Sequence, residues 1–232
     1  MTEDKSLSEF EVALADMARD LLAQETVQDT LDRIATYAVE LVDGCEHAGI
    51  LVLRAGQRIE TAAATSDLVR ELDAAQQETT EGPCFEALQH SLPVQRIVDM
   101  AACGEQWPDF APRATELGIG SMIGLLLYTD EGGLGALDLY SSQREAFTER
   151  SERIGWLLAS HAAVIYAAAR TRAQMETAME SRKDIGEALG LVMATYHLEE
   201  DRALKLLKQV SQDRNVKLRD LAQAINSGDL SL

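Results

Sequence analysis

The chain has 232 residues, 46% of them hydrophobic and 26% charged, enough for one large domain or two modest ones. Lysine and arginine total 21 against 39 aspartates and glutamates, and the net −18 taken whole argues against phosphate-bearing partners. No run approaches the ~18 apolar residues of a membrane helix.

The opening MTEDKSLSEF is polar and charged, unlike a secretory leader. Leu7, Phe10, Leu14, Met17 and Leu21 step by three and four, the narrow seam of a helix that pairs with another helix. A capping-type Thr26 then precedes a second amphipathic helix carrying Leu31, Ile34, Ala35, Ala38, Leu41 and Val42. AGILVLR (48–54), a RAGQ turn and IETAAA (59–64) read as a hairpin. LVRELDAAQQ (68–77) is helical in composition. Gly82 permits positive φ, and Pro83 suits the first turn of a helix running to about His90.

LPVQRIV (92–98) is a short strand, and WPDFAPRATEL (107–117) a short helix ended by Gly118. SMIGLLLYT (121–129) and LGALDLYS (134–141) form a second hairpin around DEGG. Helices and hairpins without βαβ alternation indicate an α+β domain with a mainly antiparallel sheet. From Phe147 the pattern is helical throughout. Ile154, Leu158, His161, Ile165, Ala168, Arg172, Met175 and Met179 keep a heptad step, predicting a coiled-coil helix of ~47 residues and ~70 Å. Such a length suits a homodimer in which a second copy buries the seam. Two short helices follow, one with Ala203, Leu206, Leu207 and Val210, the other with Leu218, Leu221, Ala222 and Ile225. The last ends at Asn226-Ser227-Gly228.

Charge is unevenly spread. Residues 1–173 carry −16 and residues 174–232 only −2. Between Lys205 and Arg219, the five cations Lys205, Lys208, Arg214, Lys217 and Arg219 stand against the single acid Asp213, a basic island in an acidic chain. The cysteines Cys45, Cys84 and Cys103 are far apart with no CxxC, which fits a reducing cytoplasm better than a disulfide framework or a zinc site. His47, His90, His161 and His197 show no metal-ligand spacing.

The segment SRKDIGEALGLVMATYHLEEDRALKLLKQVSQDRNVKLRDLAQAINSG (181–228) resembles the ANTAR domain, a three-helix RNA-binding antiterminator module of bacterial regulators. Arg182, Ile185, Ala188, Gly190, Met193, Ala203, Leu207, Ser211, Asn215, Lys217, Leu218 and Ala222 carry the resemblance. Glu199 departs from it, standing where the family usually begins the second helix with Ser or Thr, so fraying is expected there. GILVL, EGPCFEAL (81–88), WPDF (107–110), LGIGSMIGLLL (117–127) and GGLGALDLYS (132–141) together resemble a GAF domain. The division expected is an N-terminal dimerisation helix (1–25), a GAF-like sensor (26–165), a coiled-coil helix (147–180) and an ANTAR domain (174–232).

The resemblance implies a cytoplasmic bacterial regulator that binds RNA stem-loops in nascent transcripts and promotes antitermination. Its GAF domain would take a small-molecule or protein input. Arg182, Lys183, Arg214, Lys217 and Arg219 would meet phosphates, while Ser211 and Asn215 bracket a turn that meets base edges or phosphate. Tyr196 is the only aromatic after Tyr166, so hydrogen bonds and charge rather than stacking should dominate.

Cys84, Trp107 and Phe110 form the candidate ligand pocket, although Trp107 and Phe110 also suit a core. The Asn-Lys…Asp-Glu motif of cyclic-nucleotide binders is lacking, and Cys84 is followed by Phe85 rather than the His of bilin attachment. No cofactor or metal is identified. One alternative is a DNA-binding helix-turn-helix, which the link SQDRN opposes by lacking a turn glycine. The other is a cysteine-dependent methionine sulfoxide reductase, with Cys84 lowered in pKa at a helix start and Cys103 as its partner. The expectation is a regulator and not an enzyme.

Overall fold

The computed structural model describes residues 2–54, 58–90, 92–129 and 132–230. It contains two compact units, Met1–Arg170 and Thr171–Leu232.

The first unit begins with α1 (Thr2–Leu22) and α2 (Val27–Leu41). Thr26 caps α2 as its sequence suggests, its hydroxyl accepting from the Asp29 amide at 3.0 Å. Asp20 ties the two helices together, accepting from Arg33 Nε at 2.6 Å and from the Tyr37 hydroxyl at 2.8 Å. Those two bonds hold its carboxyl below the usual carboxylate range.

Five strands follow: β1 (His47–Arg54), β2 (Arg58–Ala64), β3 (Val94–Ile97), β4 (Ser121–Thr129) and β5 (Gly132–Ser141). They form one antiparallel sheet in the order β2-β1-β5-β4-β3. The RAGQ and DEGG turns expected from sequence fall partly outside the described residues.

Side chains alternate across the sheet with period two. Ile50, Val52, Ile123, Leu125, Leu127, Leu137 and Leu139 face one core, shared with Met17 and Leu21 of α1, Leu31 and Ile34 of α2, and the start of α6 (Glu149–Tyr196). Met122 and Tyr140 face the other way, toward α3 (Asp67–Thr79) and α5 (Phe110–Glu116). On this second face Leu51 and Ala136 meet Cys84 of α4 (Pro83–His90). The result is an α+β fold with helices on both faces of an antiparallel sheet.

The first core corrects the expected dimer seam. Met17, Leu21, Ile154, Leu158 and Ile165 are all buried inside their own unit, and Phe10 and Leu14 pack against the same core. A heptad stripe reports only that a helix has an apolar face; here the sheet and α2 cover much of it. Of the remaining seam positions, His161, Ala168, Arg172, Met175 and Met179 are exposed, and the side chain of Leu7 lies outside the described residues. Exposure on α6 within this unit falls instead on Trp156 (49%) and Val164 (63%).

The second unit contains the end of α6, α7 (Glu200–Asp213) and α8 (Leu218–Asn226). Ala188 and Val192 of α6, Ala203 and Leu207 of α7, and Leu221, Ala222 and Ile225 of α8 make its small core. Asp184 joins α6 to α8, its Oδ2 accepting from Gln223 at 2.7 Å and its carbonyl from Asn226 at 2.9 Å. Glu199 makes no side-chain cap, as the departure from Ser or Thr predicts. The helix nevertheless starts there, because Glu200 and Asp201 put negative charge on its first turn.

Candidate functional site

Two places carry polar chemistry, one in the interior of the first unit and one on the surface of the second.

The buried site is built from α3, α4 and β5. Helical spacing sets Asp73 and Gln76 on the face of α3 that meets the sheet, beside the apolar Val69 and Leu72. Strand alternation sets Asp138 and Tyr140 on the same side of β5, opposite to Leu137 and Leu139. All four, with Cys84, are fully buried. Gly49 lets α3 come this close: a Cβ there would stand 2.4 Å from Val69 Cγ1. Gly82, at φ +112°, lays the loop against Gln76, whose Oε1 would be 2.4 Å from any added Cβ.

Within the cluster, the Tyr140 hydroxyl is 3.1 Å from Asp73 Oδ1 and 3.3 Å from Asp138 Oδ2. Gln76 Nε2 donates to Asp138 Oδ2 at 3.3 Å and to the Tyr140 oxygen at 3.4 Å. The Cys84 thiol donates to Asp138 Oδ1, and the Cys84 amide donates to Gln76 Oε1 at 3.3 Å. Burial pushes Asp73 up to about 8, reinforced by the neighbouring Asp138 charge. Burial raises Asp138 too, to about 6, with its hydrogen bonds from Cys84, Gln76 and Tyr140 pulling the other way.

Cys84 therefore corrects the sequence reading. A helix start should lower a thiol, but burial and the carboxylates of Asp138 and Asp73 push this one well above its ordinary value. An un-ionised, sealed thiol is a poor nucleophile. Cys45 is likewise buried and pushed up to about 12. Trp107 and Phe110 pack edge to face, ring centres 6.2 Å apart, in the apolar cluster with Met100, Leu72 and Met122. Cys84 packs instead with Leu51 and Ala136.

The loop leading into α4 directs its polar groups inward and to its neighbours. Cys84 N–H goes to Gln76, and Glu86 N–H to the Gly82 carbonyl at 3.1 Å. Glu81 turns its own carboxylate to the start of α5, accepting from the Asp109 and Phe110 amides at 3.0 Å each.

The surface site lies on α7 and the turn after it. Ser211 Oγ donates to the Val216 carbonyl at 2.7 Å, and the Val216 amide donates back to the Ser211 carbonyl at 3.0 Å. Asn215 takes the left-handed conformation, φ +52°, and its amide reaches the Gln212 carbonyl at 3.1 Å. This is the Schellman closure of a helix, with Asn in the place most often held by Gly. Asn215 thus ends the second helix of the tail rather than capping the third. The helix also runs through Asp213, so the link is shorter than SQDRN.

The cations divide into two groups. Lys183 lies 3.9 Å from Glu187, and Arg219 is half-buried beside Asp220 at 3.5 Å. Arg182, Arg202, Lys205, Lys208, Arg214 and Lys217 are exposed, and no ion pair involves them among the described residues. Arg202, Lys205 and Lys208 project from the polar face of α7, opposite Ala203 and Leu207. Sequence reading placed Lys205 and Lys208 in the basic island without assigning them a role, and left out Arg202. The buried four, Asp73, Gln76, Asp138 and Tyr140, went unread, although a lone acid in LGALDLYS was a signal.

Family comparison agrees with both units. Residues 24–166 match the model of the GAF domain, and residues 173–225 match that of the ANTAR domain. No curated protein matches the sequence. Among solved structures, the GAF domain of an Acinetobacter phosphoenolpyruvate-protein phosphotransferase is 16% identical, covering 68% of this chain and 92% of its own, with a TM-score of 0.51. The free methionine-R-sulfoxide reductase of Neisseria meningitidis, also 16% identical, covers 70% and 91% with a TM-score of 0.52. The photosensory core module of Stigmatella aurantiaca phytochrome is 13% identical and covers 88% and 45%, with a TM-score of 0.61. At these identities the likeness concerns fold alone. The chain belongs to the GAF family, and its GAF domain is followed by an ANTAR domain, the architecture of antitermination regulators.

Proposed function

We propose that this protein binds stem-loops in nascent transcripts through its ANTAR domain and promotes antitermination under the control of the GAF domain. The observation that carries the reading is the set of exposed tail cations, Arg182, Arg202, Lys205, Lys208, Arg214 and Lys217, that make no ion pair among the described residues, in a chain whose net charge is −18. Unpaired cations held out on a small surface are free to displace counterions from a phosphate chain. Arg214 and Lys217 flank the Schellman turn, while Arg202, Lys205 and Lys208 extend the basic surface along α7. Ser211 supports the turn, and the exposed side chain of Asn215 is presented to loop bases. Arg182 adds a cation on α6. Lys183 and Arg219 contribute less, being already engaged by acids.

The architecture points to a regulator rather than an enzyme, and the sealed Cys84 supports that. No helix among the described residues is long and apolar enough to cross a membrane; with reduced cysteines, a cytoplasmic location follows as part of the proposal. The second copy of a homodimer would cover exposed apolar positions of α6. Those include Trp156 and Val164 in the sensor unit, and Met175 and Met179 in the tail. Sensor input would act by favouring one of two arrangements of this helix, which requires different affinity for the two.

The test is hairpin binding by the full chain across a salt series. Replacing Arg214, Lys217 and Arg219 with Ala should abolish binding with helicity unchanged. Replacing Arg202, Lys205 and Lys208 should weaken it, flattening the log Kd against log salt slope by ~0.7–0.9 for each phosphate no longer neutralised. Equal binding by the parent and both triple variants would sink the reading. Sedimentation of the parent as a monomer at micromolar concentration would remove the dimer.

A further inference from the structure

The GAF interior holds two carboxylates with one phenol between them. Tyr140 has a single hydroxyl proton, yet its oxygen is within hydrogen-bond distance of both Asp73 and Asp138, at 3.1 and 3.3 Å. Asp138 has two further donors, the Gln76 amide and the Cys84 thiol. Asp73 is poorer: its Oδ2 is buried and meets no hydrogen-bond partner among the described residues. No salt bridge reaches either acid among the described residues. Packing is close at both ends of the chain of groups. A Cβ added at Gly49 would be 3.5 Å from Asp73 Oδ2, and one added at Gly124 would be 3.5 Å from Asp138 Oδ1. Two adjacent carboxylates buried without a cation cannot both stay ionised, because each is desolvated and repels the other. The counter-charge that fits this closely walled interior is a proton.

We propose that the GAF core keeps one proton at neutral pH, carried by Asp73 as a neutral acid, and that opening of the α3–sheet contact releases it. The acid O–H of Asp73 donates to the Tyr140 oxygen, and the Tyr140 O–H donates to the Asp138 carboxylate. Every proton then has one acceptor. On opening, the proton leaves Asp73 for water and no other bond changes.

The groups facing Asp73 are Asp138 and Tyr140 from β5, Cys84 from α4, and Thr61 from β2, with Arg70 on its own helix. Gly49 of β1 offers no charge, and Arg113 of α5 is engaged by Glu78. Thr61, Tyr140 and Arg70 draw Asp73 down; burial and Asp138 outweigh them. The folded value stands above the unfolded one, so stability is full below the unfolded carboxylate range and is lost as pH rises to about 8. In that window the closed-to-open ratio falls ~10-fold per pH unit from this one proton, and above it the ratio levels off. The core thereby makes the GAF domain easier to open as pH rises.

The experiment uses the full chain. Carbon-13 NMR of the aspartate side-chain carboxyls should show Asp73 neutral at about pH 6 and titrating far above ordinary carboxylates, with Asp138 ionising at lower pH. Asp138→Asn should move the Asp73 midpoint down, since a repelling charge is gone. Denaturation between about pH 5.5 and 8.5 should lose one proton's worth of slope in Asp73→Asn relative to the parent. An Asp73 carboxyl ionised at about pH 6 overturns the proposal, as do equal slopes in parent and variant. If Asp73→Asn does not fold, the titration of the unaltered protein decides alone. RNA binding is not part of this test, so its outcome is separate from the proposed function.

Discussion

The two units place their polar groups in opposite ways. The GAF unit draws Thr30, Asp73, Gln76, Ser121, Asp138, Ser141 and Ser151 inside, whereas the polar side chains of the tail unit are at most half-buried among the described residues, as Arg219 and Asn226 are. The tail instead encloses a core of small and aliphatic groups and leaves Arg182, Arg202, Lys205, Lys208, Arg214 and Lys217 exposed, with no ion pair among the described residues. Buried polar groups are costly unless matched, so they specify one arrangement and make it sensitive to what matches them. Exposed cations cost little and specify nothing until a partner arrives. The contrast assigns sensitivity of state to the sensor and availability for binding to the tail.

The largest expected effect breaks the tail. Leu207→Ala empties the centre of a core of seven buried residues, at a cost of about 2–5 kcal/mol, and a unit this small has little stability to lose. The second unit should unfold, seen as a drop in helical circular dichroism and in hairpin binding while the GAF transition persists. A folded, binding-competent variant would mean that the tail core is sustained from elsewhere.

Leu158→Ala should cost a similar 2–5 kcal/mol, yet the larger GAF core should survive it with a lowered Tm. Because Leu158 is fully buried within its own unit, the destabilisation should not depend on protein concentration. A destabilisation that shrinks as the protein is concentrated would return Leu158 to a dimer seam.

Glu86 sharpens the sensor side. Burial raises its carboxyl, but hydrogen bonds from Gln95, Trp107 and Gln106 outweigh it and hold the group below its ordinary value. Trp107 Nε1 donates to it at 2.9 Å. A lowered folded value gives stability that is present above the unfolded carboxylate range and lost as pH falls through the folded value. Glu86→Gln should cost about 1–2 kcal/mol near neutral pH and reduce this acid-side loss, as measured by urea titrations at several pH values. An unchanged acid limb would show that Glu86 does not shape it.

The smallest effect separates structure from recognition in the tail. Asn215→Gly keeps the left-handed turn and should change stability by only a few tenths of a kcal/mol, whereas Asn215→Val should cost ~1 kcal/mol or more. If Asn215 reads a base, the glycine variant loses loop discrimination at nearly full stability. Unchanged discrimination would leave Asn215 as a helix stop alone.

Local patterns carried most of the fold. Strand alternation in SMIGLLLYT and LGALDLYS, the cap at Thr26, and the apolar faces of the helices depend on neighbours in the chain, and they are legible without the tertiary structure. The basic island of the tail was legible for the same reason, since a helix periodicity tells which of its residues face away from the core. Which surface an apolar stripe meets is not a local property. Ile154, Leu158 and Ile165 repeat as a coiled coil would, and only the packed sheet shows that their own chain covers them. Nor is the environment of an ionisable group local. Cys84 stands at a helix start in either reading, but its thiol is sealed because Asp138, 54 residues away in sequence, arrives on the facing strand. Asp73, Gln76 and Tyr140 join them only once the antiparallel register and the approach of α3 over Gly49 are set. The sequence by itself determined the elements and their apolar faces, because these follow from backbone periodicity. The tertiary structure decided what each face touches and which charges share a dry interior, because desolvation and long-range pairing exist only after the chain has closed.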